Sequence, residues 1–295
     1  DVVAIKVRER FDSHKLIEEF MIAANVAAAE TLEKRRMPCL YRVHDQPSAE
    51  KLQALAEVLE GVNIRFAKGQ VVTADRFNQV LKKVAGTPYA NMINEIVLRT
   101  QAQAQYAPDN IGHFGLALRR YCHFTSPIRR YSDLIVHRAL ISGGGLGDGG
   151  LGRGPFDLAA AGEHLSMTER RAAGAERDAV DRFTALYLAD RVGAEFAGRV
   201  NGVTRFGLFV TLDETGADGL VPVSTLGDDR FVHDETRHVL RGRRTRREFR
   251  LGDRVRVTLM EANPVTGGLL FHLAEEGGGH ESGRAGRGPG RRRRR

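Results

Sequence analysis

Two adjacent arginines, Arg129 and Arg130, lie in the segment His123-Phe-Thr-Ser-Pro-Ile-Arg-Arg-Tyr-Ser-Asp-Leu-Ile-Val-His-Arg138. Their neighbours predict the start of a helix. Ser126 suits the N-cap and Pro127 the first helical position, and Ile128, Tyr131, Ile135 and Ala139 recur at helical spacing. Cations in a first helical turn oppose the macrodipole by about 0.3–1 kcal/mol each at exposed sites. A bound anion reverses that sign, because free N–H groups and two guanidiniums would converge on it, as a phosphate requires. The competing reading pairs Arg129 and Arg130 with Asp133 at i+4 and i+3. Residue chemistry alone leaves both readings standing.

Three other groups of residues could carry chemistry. Glu176 shares a helical face with Ala173, Val180, Phe183 and Tyr187, and a carboxylate on a packing stripe is costly unless it is paired or functional. Glu18 and Glu19 precede Phe20 near the start of a long helix, where a solvated, dipole-favoured first turn is the plain alternative. Phe206-Gly-Leu-Phe209 places two rings near the start of one strand. Exposed rings on a small β-barrel stack unpaired bases at about 1–3 kcal/mol per base, whereas buried rings would be core. The spacing predicts Phe206 outside and Phe209 partly buried, with Phe231 and His233 as candidates to extend the platform. The sequence contains no phosphate-binding glycine loop, HExxH or paired CxxC. Asp228-Asp229 is only a pair of carboxylates in a barrel loop.

The elements that must position these groups follow from periodicity. Val3, Ile5 and Val7 alternate as in a strand over 1–8. A helix follows, capped by Ser13, with Leu16, Ile17, Phe20, Met21, Ala24, Ala27 and Ala28 on its apolar face, ending before Pro38. Residues 48–60, 74–84 and 91–104 read as three more helices, and Pro108 to His113 as a turn. Eight glycines in 142–154 make a flexible surface excursion. Ser166-Met-Thr-Glu169 has the form of a capping box and predicts a helix to about Val192. From Glu195 the pattern changes to short strands at 196–203, 206–212, 219–223, 253–261 and 268–273, which fit a small OB-like barrel.

Charge adds a partner class. Of the 45 basic residues, seven are arginines in 284–295; without them 38 basic residues face 37 acidic ones. The body is balanced, and the excess lies in a Gly/Arg-rich tail that cannot build a core and suits a polyanion such as nucleic acid. Arg241 to Arg250 is a second basic cluster. Cys39 and Cys122 have no metal-ligand spacing and read as small buried hydrophobes. No run approaches a membrane span, and nothing resembles a signal peptide. A cytoplasmic monomer is the default expectation.

These residues together resemble the ribonuclease II/ribonuclease R (RNB) family of 3′-to-5′ exoribonucleases. The match is carried by His123 to Arg138, Leu16 to Asn25, His44-Asp-Gln-Pro47, Gly112 to Leu118 and Thr168 to Asp178. The barrel resembles an S1-type RNA-binding domain, and the tail resembles the ribonuclease R branch. The resemblance implies an α+β chain. Residues 1–193 would be the C-terminal part of the α/β catalytic domain, 194–275 the S1-type OB barrel, and 276–295 a disordered tail that reaches structured RNA or the ribosome. It implies that Arg129 holds the scissile phosphate and that Glu176 positions the attacking water or the 3′ nucleotide. Glu18 would contact the terminal ribose, Phe206 and Phe209 would stack bases of single-stranded RNA, and Arg130 and His233 would be further RNA contacts. It also implies Mg2+ chemistry that releases nucleoside 5′-monophosphates. The family's metal-binding aspartates fall upstream of the helix near His14, so no metal ligand is expected in residues 1–295, and these are expected to bind RNA without hydrolysing it. Pro222 stands where many S1-type domains carry a His. An RNA-binding module, or a scaffold that kept the fold without the chemistry, is the alternative.

Overall fold

The computed structural model describes residues 2–5, 9–66, 72–87, 89–152, 156–235 and 238–274. Residues 276–295, expected to form the tail, lie outside them. Val2 to Ile5 form no strand, and Val3 is almost fully exposed. Alternation without a ladder partner to bury one face makes no sheet.

Helix α1 spans Asp12–Lys34. It is capped by Phe11, whose N–H donates to His14 Nδ1 at 3.1 Å, rather than by Ser13. Its second half buries Ala28, Ala29 and Leu32 against Cys39, Tyr41 and Cys122 and against Val136 and Ala139 of a later helix. Its first half does not pack: Leu16, Ile17 and Phe20 are all more than half exposed. The expected apolar face therefore divides into a buried part and an open part.

Strand β1 (Tyr41–Val43) pairs antiparallel with β2 (Gln105–Ala107). That pairing ends the helix before β2 at Thr100 rather than at 104. Between the strands lie α2 (Ala49–Gly61), α3 (Ala74–Val84) and α4 (Ala90–Thr100). Ser48 caps α2, its hydroxyl accepting from the Lys51 N–H. Helix α5 spans Tyr131–Gly144, running through the first two glycines of the predicted excursion and ending at Gly145, where φ is +62°. The next residues fold back, since Leu151 N–H donates to the Ser142 hydroxyl at 2.8 Å.

Helix α6 spans Leu158–Leu188 and is capped by Asp157, not by Ser166. Ser166 is buried one-third of the way along it, accepting from Tyr106 N–H and donating to the Gly162 carbonyl. Glu169 forms a two-pronged pair with Arg42. A Cβ on Gly162 would lie 2.6 Å from the Tyr106 carbonyl oxygen, so only glycine lets β2 approach α6 this closely. The Ser-x-x-Glu pattern is therefore used for tertiary docking instead of helix initiation.

The barrel is closed in the order β10-β5-β4-β3-β9, from β3 (Glu195–Thr204), β4 (Gly207–Leu212), β5 (Asp218–Pro222), β9 (Arg254–Asn263) and β10 (Gly268–Leu273). Each strand falls where alternation predicts it. Between β5 and β9 the chain inserts an antiparallel sheet of β6 (Phe231–Asp234), β7 (Val239–Gly242) and β8 (Glu248–Arg250). Its charge hides this sheet from the sequence. One apolar core runs from the barrel (Leu208, Val257, Phe271) through Leu240 and Phe249 into Met92, Ile93, Leu59 and Phe77 of the helices. Among the described residues no helix is long and apolar enough to cross a membrane.

Candidate functional site

The structure turns the Arg129 segment into a clamped turn rather than a first helical turn. The N–H groups of Arg129 and Arg130 both donate to the Ser126 carbonyl, at 3.2 and 3.1 Å. Arg130 then takes an extended conformation (φ −127°, ψ 119°) and serves as the N-cap residue of α5. The helix begins four residues after the position that Pro127 predicts. Asp133 explains the delay. It is fully buried, and its carboxylate accepts from Ser126 N–H at 2.8 Å, from Arg130 Nε and Nη2 at 2.8 Å each, and from the Ser132 hydroxyl at 3.1 Å. Burial pulls the Asp133 pKa upward, but the hydrogen bonds from Arg130 and Ser126 and the Arg130 charge outweigh it and hold the carboxyl below its ordinary range.

A second clamp comes from α1. Asn25 is 2% exposed. Its Oδ1 accepts from Phe124 N–H at 2.9 Å and Thr125 N–H at 3.3 Å, while its Nδ2 donates to the Tyr121 hydroxyl at 3.0 Å. The Phe124 carbonyl lies 2.9 Å from His137 Nε2, and the two rings stack at 4.3 Å. Between these clamps Arg129 projects into solvent. It has no hydrogen bond or ion pair among the described residues, whereas Arg130 is spent on Asp133. The two guanidiniums that the sequence leaves equivalent are thereby separated.

Beside the turn is an open cavity of about 630 Å³, with Ile17, Glu18 and Asn25 of α1, Arg10, Tyr121 and Arg130 in its wall. Glu18 forms an ion pair with Arg10 there. Glu18 and Arg130 thus share one cavity, which Arg129 does not line. Glu176 does not line it either. It stands on an exposed stretch of α6, and its presumed stripe-mates Val180 and Phe183 are 57% and 60% exposed. The expectation that Glu176 sits on a packed face is corrected: Glu176, Val180 and Phe183 stay exposed on α6.

His123 and His113 carry no charge at neutral pH. Burial, then the Arg130 and Arg42 charges, lower the His123 pKa to about 3, and its Nδ1 is 2.8 Å from the Tyr106 hydroxyl. Burial and then His44 bring His113 to about 4. Neither of these two histidines adds positive charge beside Arg129 and Arg130. Cys39 and Cys122 are buried free thiols. A hydrogen bond with Cys39 and burial push the Cys122 thiol well above its ordinary value, so it is not a nucleophile. Among the described residues no group of three or more His, Cys, Asp or Glu side chains is placed to hold a metal ion.

On the barrel, Phe206 and Phe209 are 62% and 41% exposed at the start of β4, and the Arg205 guanidinium lies 4.6 Å from the Phe206 ring centroid. Gly207 between them has φ +150°, and a Cβ there would strike the Val221 carbonyl on β5. The glycine is what lets the strands close with both rings outward. Phe231 is not part of this platform: it packs toward the core with its ring 5.9 Å from Phe249. His233 lies half-buried on β6, and its Nε2 has no hydrogen-bond partner among the described residues. The residues that sequence reasoning missed are Asn25 and Asp229. A lone Asn at the end of the apolar run Leu16–Ala24 was the available signal for the first.

Comparison with known proteins places this geometry. Residues 1–143 match the RNB domain and residues 189–270 the S1 RNA binding domain. Ribonuclease R of Aquifex aeolicus is 43% identical over 95% of this chain and 40% of its own length, and ribonuclease R of Escherichia coli is 41% identical over 88% and 33%. The chain thus spans about two-fifths or less of these relatives. The solved structure of Mycoplasma genitalium RNase R in complex with ribose methylated single-stranded RNA superposes with a TM-score of 0.79 at 30% identity, covering 90% of this chain and 42% of that one.

Proposed function

Because the chain belongs to the RNB family, we propose that it acts in 3′-to-5′ exoribonucleolytic hydrolysis of single-stranded RNA. Residues 1–193 would orient the reacting end and residues 194–275 would hold the incoming strand. The observation that carries this reading is the unspent Arg129 guanidinium on a turn whose neighbouring polar groups are committed to Asp133, Asn25 and Ser126. The backbone beneath it is held in place, and the guanidinium has no internal partner to give up when a phosphate arrives. In the proposed reaction Arg129 donates to the non-bridging oxygens of the scissile phosphate and counters the charge that builds there. Arg130, fixed by Asp133, forms a rigid cationic wall of the cavity. Glu18 exchanges Arg10 for the terminal 2′-hydroxyl, the group that distinguishes RNA from DNA. The role of Glu176, positioning water or the terminal nucleotide, rests on the family motif alone. Mg2+, when bound in this family's chemistry, activates water. The aspartates that would hold it are proposed to lie outside residues 1–295.

The test is direct. Purified residues 1–295, mixed with end-labelled RNA and Mg2+, are expected to retard the RNA without releasing mononucleotides. Robust Mg2+-dependent release by preparations free of contaminating nuclease would overturn the assignment of metal ligands. A second measurement checks the barrel. Phe206→Ala removes one exposed stacking face, and about 1–3 kcal/mol of binding, or roughly 5- to 150-fold in Kd, is expected to be lost. Thermal stability should stay unchanged, since the ring is mostly in solvent. Unchanged affinity for single-stranded RNA would remove Phe206 from the interface.

A further inference from the structure

The inserted sheet ends in a hairpin whose turn reads Arg243-Arg-Thr-Arg-Arg247. Four arginines in five residues repel one another, so folding energetics alone give no reason to cluster them. The turn is nevertheless tightly built. Asp229 Oδ1 accepts from Arg244 N–H at 3.0 Å, and Oδ2 accepts from Thr245 N–H at 2.7 Å and from its hydroxyl at 2.6 Å. Arg243 N–H donates to the Arg230 carbonyl at 2.9 Å, and Gly242 N–H donates to the Arg247 carbonyl at 2.8 Å. A Cβ on Gly242 would lie 2.7 Å from the Thr245 hydroxyl oxygen and would also strike the Asp229 carboxylate, so glycine is needed for the lock. Arg246 closes the turn with φ +60°.

The lock consumes the nearest carboxylate on backbone and hydroxyl groups, not on guanidiniums. Glu248, at the base of the hairpin, pairs with Arg241 and Arg250. Of the four turn arginines, Arg244 caps the Asp228 carbonyl at 2.9 Å and Arg247 lies 4.8 Å from the Phe249 ring centroid. Arg243 and Arg246 make no side-chain hydrogen bond or ion pair among the described residues. All four are exposed. The result is a fixed backbone carrying a surplus of guanidinium charge, on a sheet joined through Leu240 and Phe249 to the core of the barrel that presents Phe206 and Phe209.

We propose that this hairpin is a second RNA contact, in which Arg243, Arg244, Arg246 and Arg247 grip the phosphodiester backbone of the strand, independently of base sequence. The proposal rests on the RNA-binding reading above and adds a site to it. The polyanion suits the geometry, since a preformed turn spares the backbone ordering cost and guanidiniums match phosphate oxygens two at a time.

The test changes the charge and leaves the lock. In the whole chain, Arg243→Ser, Arg244→Ser, Arg246→Asn and Arg247→Ser are combined, with Asp229 and Thr245 kept. Kd is read against salt for a uridine homopolymer and for a mixed-sequence oligoribonucleotide. For single strands each neutralised phosphate contributes about 0.7 to the slope of log K against log salt, so a fall of about 2 to 3 is expected. Affinity should drop at least about tenfold at ~0.1 M salt, equally for both RNAs. Replacing all four by Lys should keep most of the slope, which separates charge from any disturbance of the fold. Phe206→Ala is measured in parallel. If it weakens binding while the four-arginine variant keeps wild-type slope and affinity, the hairpin proposal is overturned and the RNA-binding reading stands. A loss confined to one RNA sequence overturns backbone recognition. If the unaltered chain binds neither RNA, both readings fail.

Discussion

Replacing Arg129 with Ala is expected to lower RNA hydrolysis by about 100- to 1000-fold in any longer form of the protein that hydrolyses RNA. The size is that of losing one donor to the charge developing on the phosphate, and the side chain has no structural role to lose with it. It is exposed and makes no hydrogen bond or ion pair among the described residues, so its removal should change stability by no more than about 0.5 kcal/mol. RNA affinity should fall far less than turnover, because the proposed stacking rings on the barrel are untouched. Arg129→Lys should recover only part of the rate, since an ammonium cannot bridge two phosphate oxygens as a guanidinium does. Single-turnover kinetics beside a binding titration separate these effects. Turnover that survives Arg129→Ala would show that the turn holds something other than the scissile phosphate.

The second large effect is on stability. Asp133→Ala removes a fully buried carboxylate that serves three partners, and leaves the Arg130 guanidinium and the Ser126 N–H without an acceptor. Breaking a buried ion pair from one side costs about 3–5 kcal/mol, expected to appear as a fall in Tm of about 10 °C. Asp133→Asn should cost less, because one acceptor for Ser126 survives while the charge pair does not. The acid dependence has a definite sign. The Asp133 pKa is lower in the folded chain than in the unfolded one, so its contribution is present above the ordinary carboxylate pKa and is lost as pH falls through the folded value. The alanine variant should therefore lose part of the acid sensitivity of the wild type. A melting temperature within about 2 °C of wild type would show that the Asp133 clamp contributes little.

The two predictions act on neighbouring residues with opposite roles, and the sequence does not distinguish those roles. Both arginines stand within reach of Asp133 in a helix, at i+4 and i+3. The choice is made by Arg130's extended backbone, which points its fork at Asp133, and by the Asn25 clamp that holds the preceding residues from 99 positions away. Glu176 shows the same limit. Periodicity groups it correctly with Val180 and Phe183, but periodicity cannot say whether a stripe has anything to pack against. Ser166 and Glu169 make a faithful capping-box pattern whose side chains are claimed by Tyr106 and Arg42. For Ser166 and Glu169 the local pattern is present, and partners distant in sequence claim both side chains.

The order of helices and barrel strands, the outward Phe206, and the family itself were determined by the sequence alone. They depend on interactions between near neighbours: Ser48 capping α2, alternation along β3 and β4, and a glycine between two phenylalanines. Tertiary structure decided which arginine is free, where α5 and α6 begin, and that Glu18 and Arg130 face one cavity. It also decided that the charged stretch after β5 is a locked hairpin rather than a loop. The physical reason is shared: a polar side chain takes the partner that the fold brings to it. Buried Asp133 and Asn25, and the more open Asp229, each satisfy backbone N–H groups that no local pattern assigns to them.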